Sequence, residues 1–147
     1  MKENLLGKTP EELRAAAVSL GLPAFTGSQL ARWMYVSGAR SFDEMTNISK
    51  ASREALSAAY DLGVAAPVGK ALSSDGTTKY LFPVSCKAAS GVEDSAVEAV
   101  MIPEADRRTL CVSCQAGCRM GCRFCLTGRQ GWHGNLSAAD ILNQLIS

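Results

Sequence analysis

The sequence contains no apolar run that approaches the roughly 18 residues of a membrane-spanning helix. Its first residues, MKENLLGKTPEELR, also lack the apolar core of a secretory signal peptide. These two absences predict a cytoplasmic protein with no membrane partner. Thiols stay reduced in the cytoplasm, so closely spaced cysteines favour metal binding or redox chemistry over structural disulfides.

Negatively charged side chains are missing from one segment of the chain. The net charge of the whole chain is +1, so bulk charge indicates no particular partner. Residues 107–139, by contrast, contain no lysine and no carboxylate, and their only charged side chains are five arginines: Arg107, Arg108, Arg119, Arg123 and Arg129. An arginine-only segment is typical either of an anionic centre or ligand or of an ordinary solvated loop, and both readings stay open on charge alone.

The first of two predicted parts, residues 1–64, has the pattern of a small helical domain. A capping box at Thr9 and Glu12, with Pro10 in the first turn, marks the start of the first helix. The predicted helices begin at polar caps and end near glycines: Thr9 to Gly21, Ser28 to Gly38, and Ser49 to Gly63. The connector SFDEMTN is expected to hold one short turn.

The rest of the chain has the pattern of strands that lead into one helix. In residues 65–106, KALSSDGTTKYLFPV predicts a hairpin with Asp75 and Gly76 in its turn, and SAVEAVMIP predicts a third strand. In residues 107–147, the strand RTLCVS enters a glycine-broken loop, after which Ser137 caps a helix. The predicted fold class is therefore mixed, α+β with a strand–loop–helix unit of α/β type at its end.

Five of the six cysteines lie between residues 110 and 128, and three of them are spaced C-x3-C-x2-C: Cys118, Cys122 and Cys125. Gly117 and Gly121 allow the backbone to wrap, so the three thiolates can face one centre. Thiolates favour iron–sulfur clusters and zinc. Three ligands on a four-iron cluster leave one iron open to a substrate or cofactor, so this loop predicts metal or cluster binding.

Zinc is the structural alternative. Cys111, Cys114, Cys122 and Cys125 are spaced like two zinc knuckles, although the gap between the pairs is short and Cys118 is left over. Cys111 and Cys114 also fall in a predicted strand, where residues three apart point to opposite faces. The spacing therefore favours a cluster, and a zinc-stabilised RNA-binding module stays the alternative.

The loop resembles the radical S-adenosylmethionine superfamily, in which such cysteines follow the first strand of a barrel and an aromatic residue, here Phe124, precedes the last one. The longer string IPEADRRTLCVSCQAGCRMGCRFCLTGRQG is similar to the ribosomal RNA adenine-C2 methyltransferases. GSQLARWMYVSGARSFDEMTNISKASREAL and SSDGTTKYLF resemble the helical N-terminal domain and the linking strands of the same family. The resemblance covers nearly the whole chain.

This resemblance implies a cofactor set and a substrate. Cys118, Cys122 and Cys125 would hold a [4Fe–4S] cluster that binds S-adenosylmethionine through its open iron and receives electrons from a donor. The substrate would be an adenosine of 23S ribosomal RNA, and some members of the family also modify tRNA. A paralogous class that methylates carbon 8 shares the loop and is a further alternative. We expect a monomer, with residues 1–64 contacting RNA.

The resemblance also implies roles for single residues. Cys111 would resolve a protein–RNA adduct through a disulfide with a methyl-carrying cysteine, whereas a buried strand thiol is its ordinary interpretation. Glu98 would act on the adenine or its proton, or would otherwise be a solvated strand carboxylate. Arg119 and Arg123 would offset the charge of the cluster or meet phosphate. His133, the single histidine, receives no role.

Two features depart from the family pattern. Cys114 stands where the family usually has serine, and is a spare thiol. A complete (β/α) barrel needs about 200 residues or more, whereas about 40 follow Arg107. The chain is therefore expected to contain the first βα unit of a truncated barrel, without the methyl-carrying cysteine, and not to methylate RNA alone.

Overall fold

The computed structural model describes residues 2–88 and 91–147, and these residues divide into two compact units. The first unit runs to Val64 and includes Ile146 and Ser147. The second unit is Ala65–Leu145. Each is described by itself below. In the described part of the chain, none of the helices combines the length and apolar character that a bilayer crossing requires.

The first helix of the first unit, α1 (Pro10–Ser19), confirms the predicted capping box. The Thr9 hydroxyl accepts a hydrogen bond from the Glu12 N–H at 3.3 Å, and the Glu12 carboxylate accepts one from the Thr9 N–H at 2.7 Å. These two bonds satisfy amide groups that have no partner inside the helix. Leu13 and Ala17 lie on the buried face of α1.

The second helix, α2 (Phe25–Tyr35), begins three residues before the predicted Ser28 and ends before Gly38. The reason for the early start is Gly27, which is buried inside α2. A Cβ added at Gly27 would lie 2.4 Å from the Arg14 Cα, so the backbones of α1 and α2 touch at this point. Gly27 therefore serves helix–helix packing, a tertiary contact that no cap signal reveals.

The third helix, α3 (Lys50–Ala59), starts after the predicted cap, with the Ser49 hydroxyl accepting from the Ser52 N–H at 3.2 Å. It ends four residues before Gly63, because β2 (Tyr60–Asp61) follows it and pairs in parallel with β1 (Glu3–Asn4). The predicted connector contains one 3-10 turn, Phe42–Glu44. The buried side chains of this unit come from the three helices and from residues directly after β1, the 3-10 turn and β2: Leu5, Leu13, Leu30, Met34, Met45, Leu56 and Leu62.

The second unit contains a four-stranded antiparallel sheet in the order β3-β4-β5-β6. Its strands are β3 (Gly69–Leu72), β4 (Thr78–Ala88), β5 (Gly91–Pro103) and β6 (Arg108–Cys111). The predicted hairpin is confirmed, and the Asp75 carboxylate closes its turn by accepting from the Thr77 N–H at 2.9 Å. The predicted strands SAVEAVMIP and RTLCVS lie in β5 and β6.

One face of this sheet carries the core of the second unit. Side chains alternate between faces along a strand, so one set of alternate residues in β4 and β5 is buried. Their buried cluster also includes two residues from beyond the sheet, and it comprises Phe82, Val84, Cys86, Val97, Ala99, Ala116 and Leu136. The opposite face stays accessible and carries the candidate residues described below.

Four elements follow the sheet, and the first three were not expected from the sequence. β7 (Gln115–Gly117) and β8 (Trp132–Asn135) form an antiparallel pair, and α4 (Leu126–Arg129) lies between them in sequence. The predicted last helix is α5 (Ala138–Ile146), and the Ser137 hydroxyl accepts from the Asp140 N–H at 3.2 Å as expected for its cap. The mixed α+β fold class is confirmed.

Gly27→Ala is expected to destabilise the first unit by about 1–3 kcal/mol, because the new methyl group would overlap the Arg14 backbone. Alanine favours a helix over glycine by about 1 kcal/mol, so the clash must exceed that gain. Chemical denaturation measures the effect. Ser28→Ala, at the exposed next position, is the control and should change stability little. An unchanged unfolding midpoint for Gly27→Ala would contradict the close approach of α1 and α2.

Candidate cluster and substrate site

The cysteine loop is closed at its base by the pairing of β7 with β8. The Cys118 N–H donates to the Gly131 C=O at 2.9 Å, directly beyond the register pair of Gly117 with Trp132. The Cys125 N–H donates to the Cys122 C=O at 3.1 Å, so the last two cysteines share one tight turn. All three thiols are half-buried. The strand pair thus brings the two ends of the C-x3-C-x2-C segment together.

Gly117 makes this closure possible. Its φ is +70°, a conformation that residues with a side chain rarely adopt. A Cβ at this position would lie 1.8 Å from the Gly131 oxygen, so the two backbones are in direct contact. The sequence indicated that a glycine was needed for wrapping, but the partner at Gly131 is a finding of the structure.

The donor set fits a cluster. Three thiols and no carboxylate lie on the loop, and thiolates are the ligands of iron–sulfur centres. Among residues 2–88 and 91–147, no three Cys, His, Asp or Glu side chains converge as ligands of a single ion would.

The apolar side chains of the loop point outward in this chain. Phe124, the aromatic residue before Cys125, is 94% exposed, and Met120 and Leu126 are also exposed. Cys114 is exposed as well, and its carbonyl accepts from the Leu136 N–H at 3.0 Å. The thiol of Cys114 is in no disulfide, and that it is spare stays a prediction.

Glu98 and Cys111 lie on the same, accessible face of the sheet. Leu81 pairs with Glu98 and Val100 pairs with Cys111, so the two candidate residues are diagonal neighbours on adjacent strands. Cys111 is exposed at the end of β6, which excludes the buried packing role that a strand thiol usually has. Within the described residues, none of the five thiols from Cys111 to Cys125 is in a disulfide.

A lysine that sequence reasoning missed holds the Glu98 carboxylate. Lys79 Nζ lies 3.0 Å from Glu98 Oε1, and the two side chains are 51% and 56% exposed. An ion pair this exposed contributes at most about 1 kcal/mol to stability. The ion pair matters for position rather than for stability, because it orients the Glu98 carboxylate on the open face of the sheet. The period-two alternation of β4 could have placed Lys79 on this face, but not its partner.

A cavity of about 180 Å³ joins the sheet face to the cysteine loop. Glu98 lines it on one side, and Gly117 and Leu126, which adjoin Cys118 and Cys125, line it on another. Four further side chains supply polar groups: Ser113, Gln115, Thr127 and Gln130. Glu98 and the cysteine loop therefore border one polar space, a juxtaposition that linear spacing does not reveal.

A buried amide fixes the backbone between Cys111 and Cys114. Gln144 of α5 accepts from the Ser113 N–H at 2.8 Å and donates to the Ser113 C=O at 2.9 Å. The Ser113 hydroxyl in turn donates to the Glu98 C=O at 2.8 Å. Gln144 is buried, so these bonds are shielded from water. The helix thereby holds the segment that carries the candidate thiol next to the strand that carries the candidate carboxylate.

The arginines near the cysteines differ in how they are held. The Arg119 guanidinium lies 4.1 Å from the ring centroid of Trp132, and all three arginines, Arg119, Arg123 and Arg129, are exposed. None of the ion pairs found in the described part of the chain involves these three arginines. Their charges are thus not neutralised by a carboxylate. His133 is half-buried in β8 and has no assigned role.

The first unit has an open cavity of about 520 Å³, but its charge is balanced. Lys2, Arg40 and Arg53 line it together with an equal number of carboxylates: Asp43, Glu54 and Asp61. A phosphate site would require an excess of positive charge. This cavity therefore adds no charge-based support for RNA contact by residues 1–64.

The fold and the cysteine loop define the class of protein. A crystal structure of a radical SAM methyltransferase from Sphaerobacter thermophilus matches with a TM-score of 0.82 and 34% identity, over 98% of this chain and 40% of that chain. The chain thus has the fold of the N-terminal part of a radical SAM methyltransferase.

The particular family follows from sequence comparisons. Residues 3–61 match the ribosomal RNA large subunit methyltransferase N-terminal domain. Probable dual-specificity RNA methyltransferases RlmN from Porphyromonas gingivalis and Bacteroides fragilis are 54% and 50% identical, over 97% and 98% of this chain and 40% of each relative. The family resemblance is thereby confirmed: the chain corresponds to the N-terminal part of RlmN-type RNA methyltransferases and spans about two fifths of the length of these curated relatives.

Gly117→Ala is expected to open the base of the loop, because its Cβ would overlap the Gly131 oxygen. Hydrogen exchange of the Cys118 amide, which donates across this contact, should accelerate by at least about tenfold, or roughly 1.4 kcal/mol. Gly121→Ala is the matched control, since it also has positive φ but meets no atom within 4 Å. Equal protection of Cys118 in both variants would show that the close contact does not hold the loop.

Proposed function

We propose that this chain is the cluster-bearing N-terminal part of a radical S-adenosylmethionine methyltransferase that acts on carbon 2 of an adenosine in 23S ribosomal RNA. One observation carries the proposal: the cysteine loop and the sheet face with Glu98 share one polar cavity. The likeness to RlmN-type enzymes supports the substrate class, since those relatives are named as dual-specificity RNA methyltransferases. The dual specificity of the relatives makes tRNA a second proposed substrate.

Cys118, Cys122 and Cys125 would hold the [4Fe–4S] cluster. When bound, the cluster supplies a one-electron reduction of S-adenosylmethionine, and so a radical route to a carbon that is not nucleophilic. The backbone contacts of the loop hold the segment with the three half-buried thiols next to Gly117 and Leu126, which line the cavity. An external electron donor completes the proposed set of partners, and we propose a cytoplasmic, monomeric enzyme.

Glu98 would act on the adenine that enters the cavity. Carboxylates exchange protons with a substrate when they lie within hydrogen-bond reach, and Glu98 lines the cavity with its carboxylate held by Lys79. The polar side chains of Gln115 and Gln130 line the same space and can pair with the edge of a base. Lys79 is thus a positioning residue for Glu98 in this proposal.

Cys111 would resolve the protein–RNA adduct. Its thiol is exposed on the same face as Glu98, so a second cysteine carried by another segment can reach it. Attack of the Cys111 thiolate on the protein sulfur that carries the base would form that disulfide and break the sulfur–carbon bond, and the departing carbon would keep the electron pair and take up a proton. Among the described residues Cys111 is in no disulfide, and its proposed partner is the methyl-carrying cysteine that the family resemblance implies.

Replacing any one cluster ligand with alanine should reduce the iron bound after anaerobic reconstitution to background, because each thiolate holds its own iron. Cys118→Ala, Cys122→Ala and Cys125→Ala are the test variants, measured by iron and sulfide content and by electron paramagnetic resonance. Cys114→Ser is the matched control and should keep the cluster. If the chain instead holds one zinc ion that Cys114→Ser abolishes, it is the zinc-stabilised RNA-binding module.

Glu98→Gln should lower RNA methylation by about 10²–10⁴-fold in a full-length enzyme that begins with this chain, because it removes the proton-transferring group and keeps its shape. Lys79→Met should cause a smaller loss, since the carboxylate remains but is no longer held. Glu104→Gln, which removes a paired carboxylate outside the cavity, is the control. Undiminished methylation by Glu98→Gln would reject its role, and methyl transfer to carbon 8 in the product would favour the paralogous class.

A further inference from the structure

Arg119 is anchored at the base of the cysteine loop, directly after Cys118. Its guanidinium lies over the ring of Trp132, 4.1 Å from the centroid, within the range of a cation–π contact. Trp132 is the first residue of β8 and pairs with Gly117, the residue before Cys118. The Trp132 ring, which is the platform for the guanidinium, and Arg119 are therefore both attached to backbone next to Cys118, the first cluster ligand.

The platform itself is fixed by packing. Trp132 Nε1 is buried, and it has no hydrogen-bond partner among the described residues. The indole is thus oriented by its surroundings and by the β7–β8 ladder, and it presents its face to the guanidinium. Arg123, which also adjoins a ligand, is exposed and is the natural comparison because it has no recorded aromatic contact in the described part of the chain.

Nothing in the neighbouring sequence offsets this charge. Residues 107–139 contain no carboxylate, and Glu98, the carboxylate on the accessible sheet face, is paired with Lys79. Arg119 is exposed, so water and salt screen its charge, but the contact with Trp132 holds that charge at a fixed position directly after Cys118.

We propose that Arg119, held by Trp132, raises the reduction potential of the cluster bound by Cys118, Cys122 and Cys125. The inference rests on the proposed function. One-electron reduction of a four-iron cluster with three thiolates adds a negative charge to a centre that is already anionic. A fixed cation stabilises the reduced state more than the oxidised state, and net charge is one determinant of the potentials of such clusters. Arg119 is accordingly a tuning residue and not a catalytic one.

The test measures the midpoint potential of the reconstituted 147-residue chain, with dithionite as reductant and electron paramagnetic resonance as the readout. Arg119→Gln should lower the midpoint potential. Arg119→Lys keeps the charge, so its midpoint potential should stay close to that of the unsubstituted chain. Arg123→Gln is the matched control and should shift the midpoint less. Trp132→Leu, which keeps Arg119 but removes its platform, should shift the midpoint in the same direction as Arg119→Gln.

The outcomes separate this inference from the proposed function. If the cluster can be reduced and its midpoint potential is the same in Arg119→Gln as in the unsubstituted chain, the inference is overturned and the proposed function is not. Equal shifts of the midpoint potential in Arg119→Gln and Arg123→Gln overturn the inference in the same way. A weakened, less salt-dependent RNA affinity with an unchanged midpoint would assign Arg119 to phosphate instead. A chain that forms no reducible cluster overturns the proposed function together with this inference. If Trp132→Leu fails to fold, the three arginine variants decide the result.

Discussion

The contact between the backbones of Gly117 and Gly131 is the constraint on which the candidate site depends. It closes a loop whose thiols, arginines and apolar side chains would otherwise be connected only through the chain. Because the contact involves backbone on both sides, no rotamer change can relieve an added side chain. The three cysteines gain a common location from this closure, and Trp132 gains the position from which it meets Arg119.

A second constraint is the register of the sheet. The burial of Phe82, Val97 and Ala99 assigns one face of β4 and β5 to the core, and the alternation of a strand then puts Lys79 and Glu98 on the other. A slip of one residue would bury the carboxylate and expose Val97, so the hydrophobic core also sets where the chemistry can occur. Ser113 donates one hydrogen bond to Gln144 and another to the Glu98 carbonyl. These bonds hold the chain beside β5 past the end of β6, towards the loop.

The sequence predicted those features whose causes are local. Caps such as Thr9 and Ser137 act within one helical turn, so their helices were placed correctly at the start. The longer string around the cysteines likewise identified the family, whereas the class of centre stays a prediction. The early start of α2 at Phe25 and the β7–β8 pair were not predicted, since Gly27 and Gly117 meet backbone that is distant in sequence. The same reason explains why Gln144 and Lys79 were missed, because their partners lie on other elements.

The charges of the second unit are divided between two regions, and this division fits the chemistry proposed for each. On the sheet face, Lys79 and Glu98 form an ion pair. The pair orients the Glu98 carboxylate and adds no net charge to the face where an RNA base is proposed to bind. Around the loop, arginines stand alone, and thiolates bound to iron are the anions that such a segment can balance. A carboxylate in the loop would oppose reduction of the cluster, and an unpaired one on the sheet would repel the phosphates of RNA. The absence of the first and the pairing of the second by Lys79 therefore agree with the proposal that an electron-accepting centre and a nucleic-acid substrate meet at this cavity.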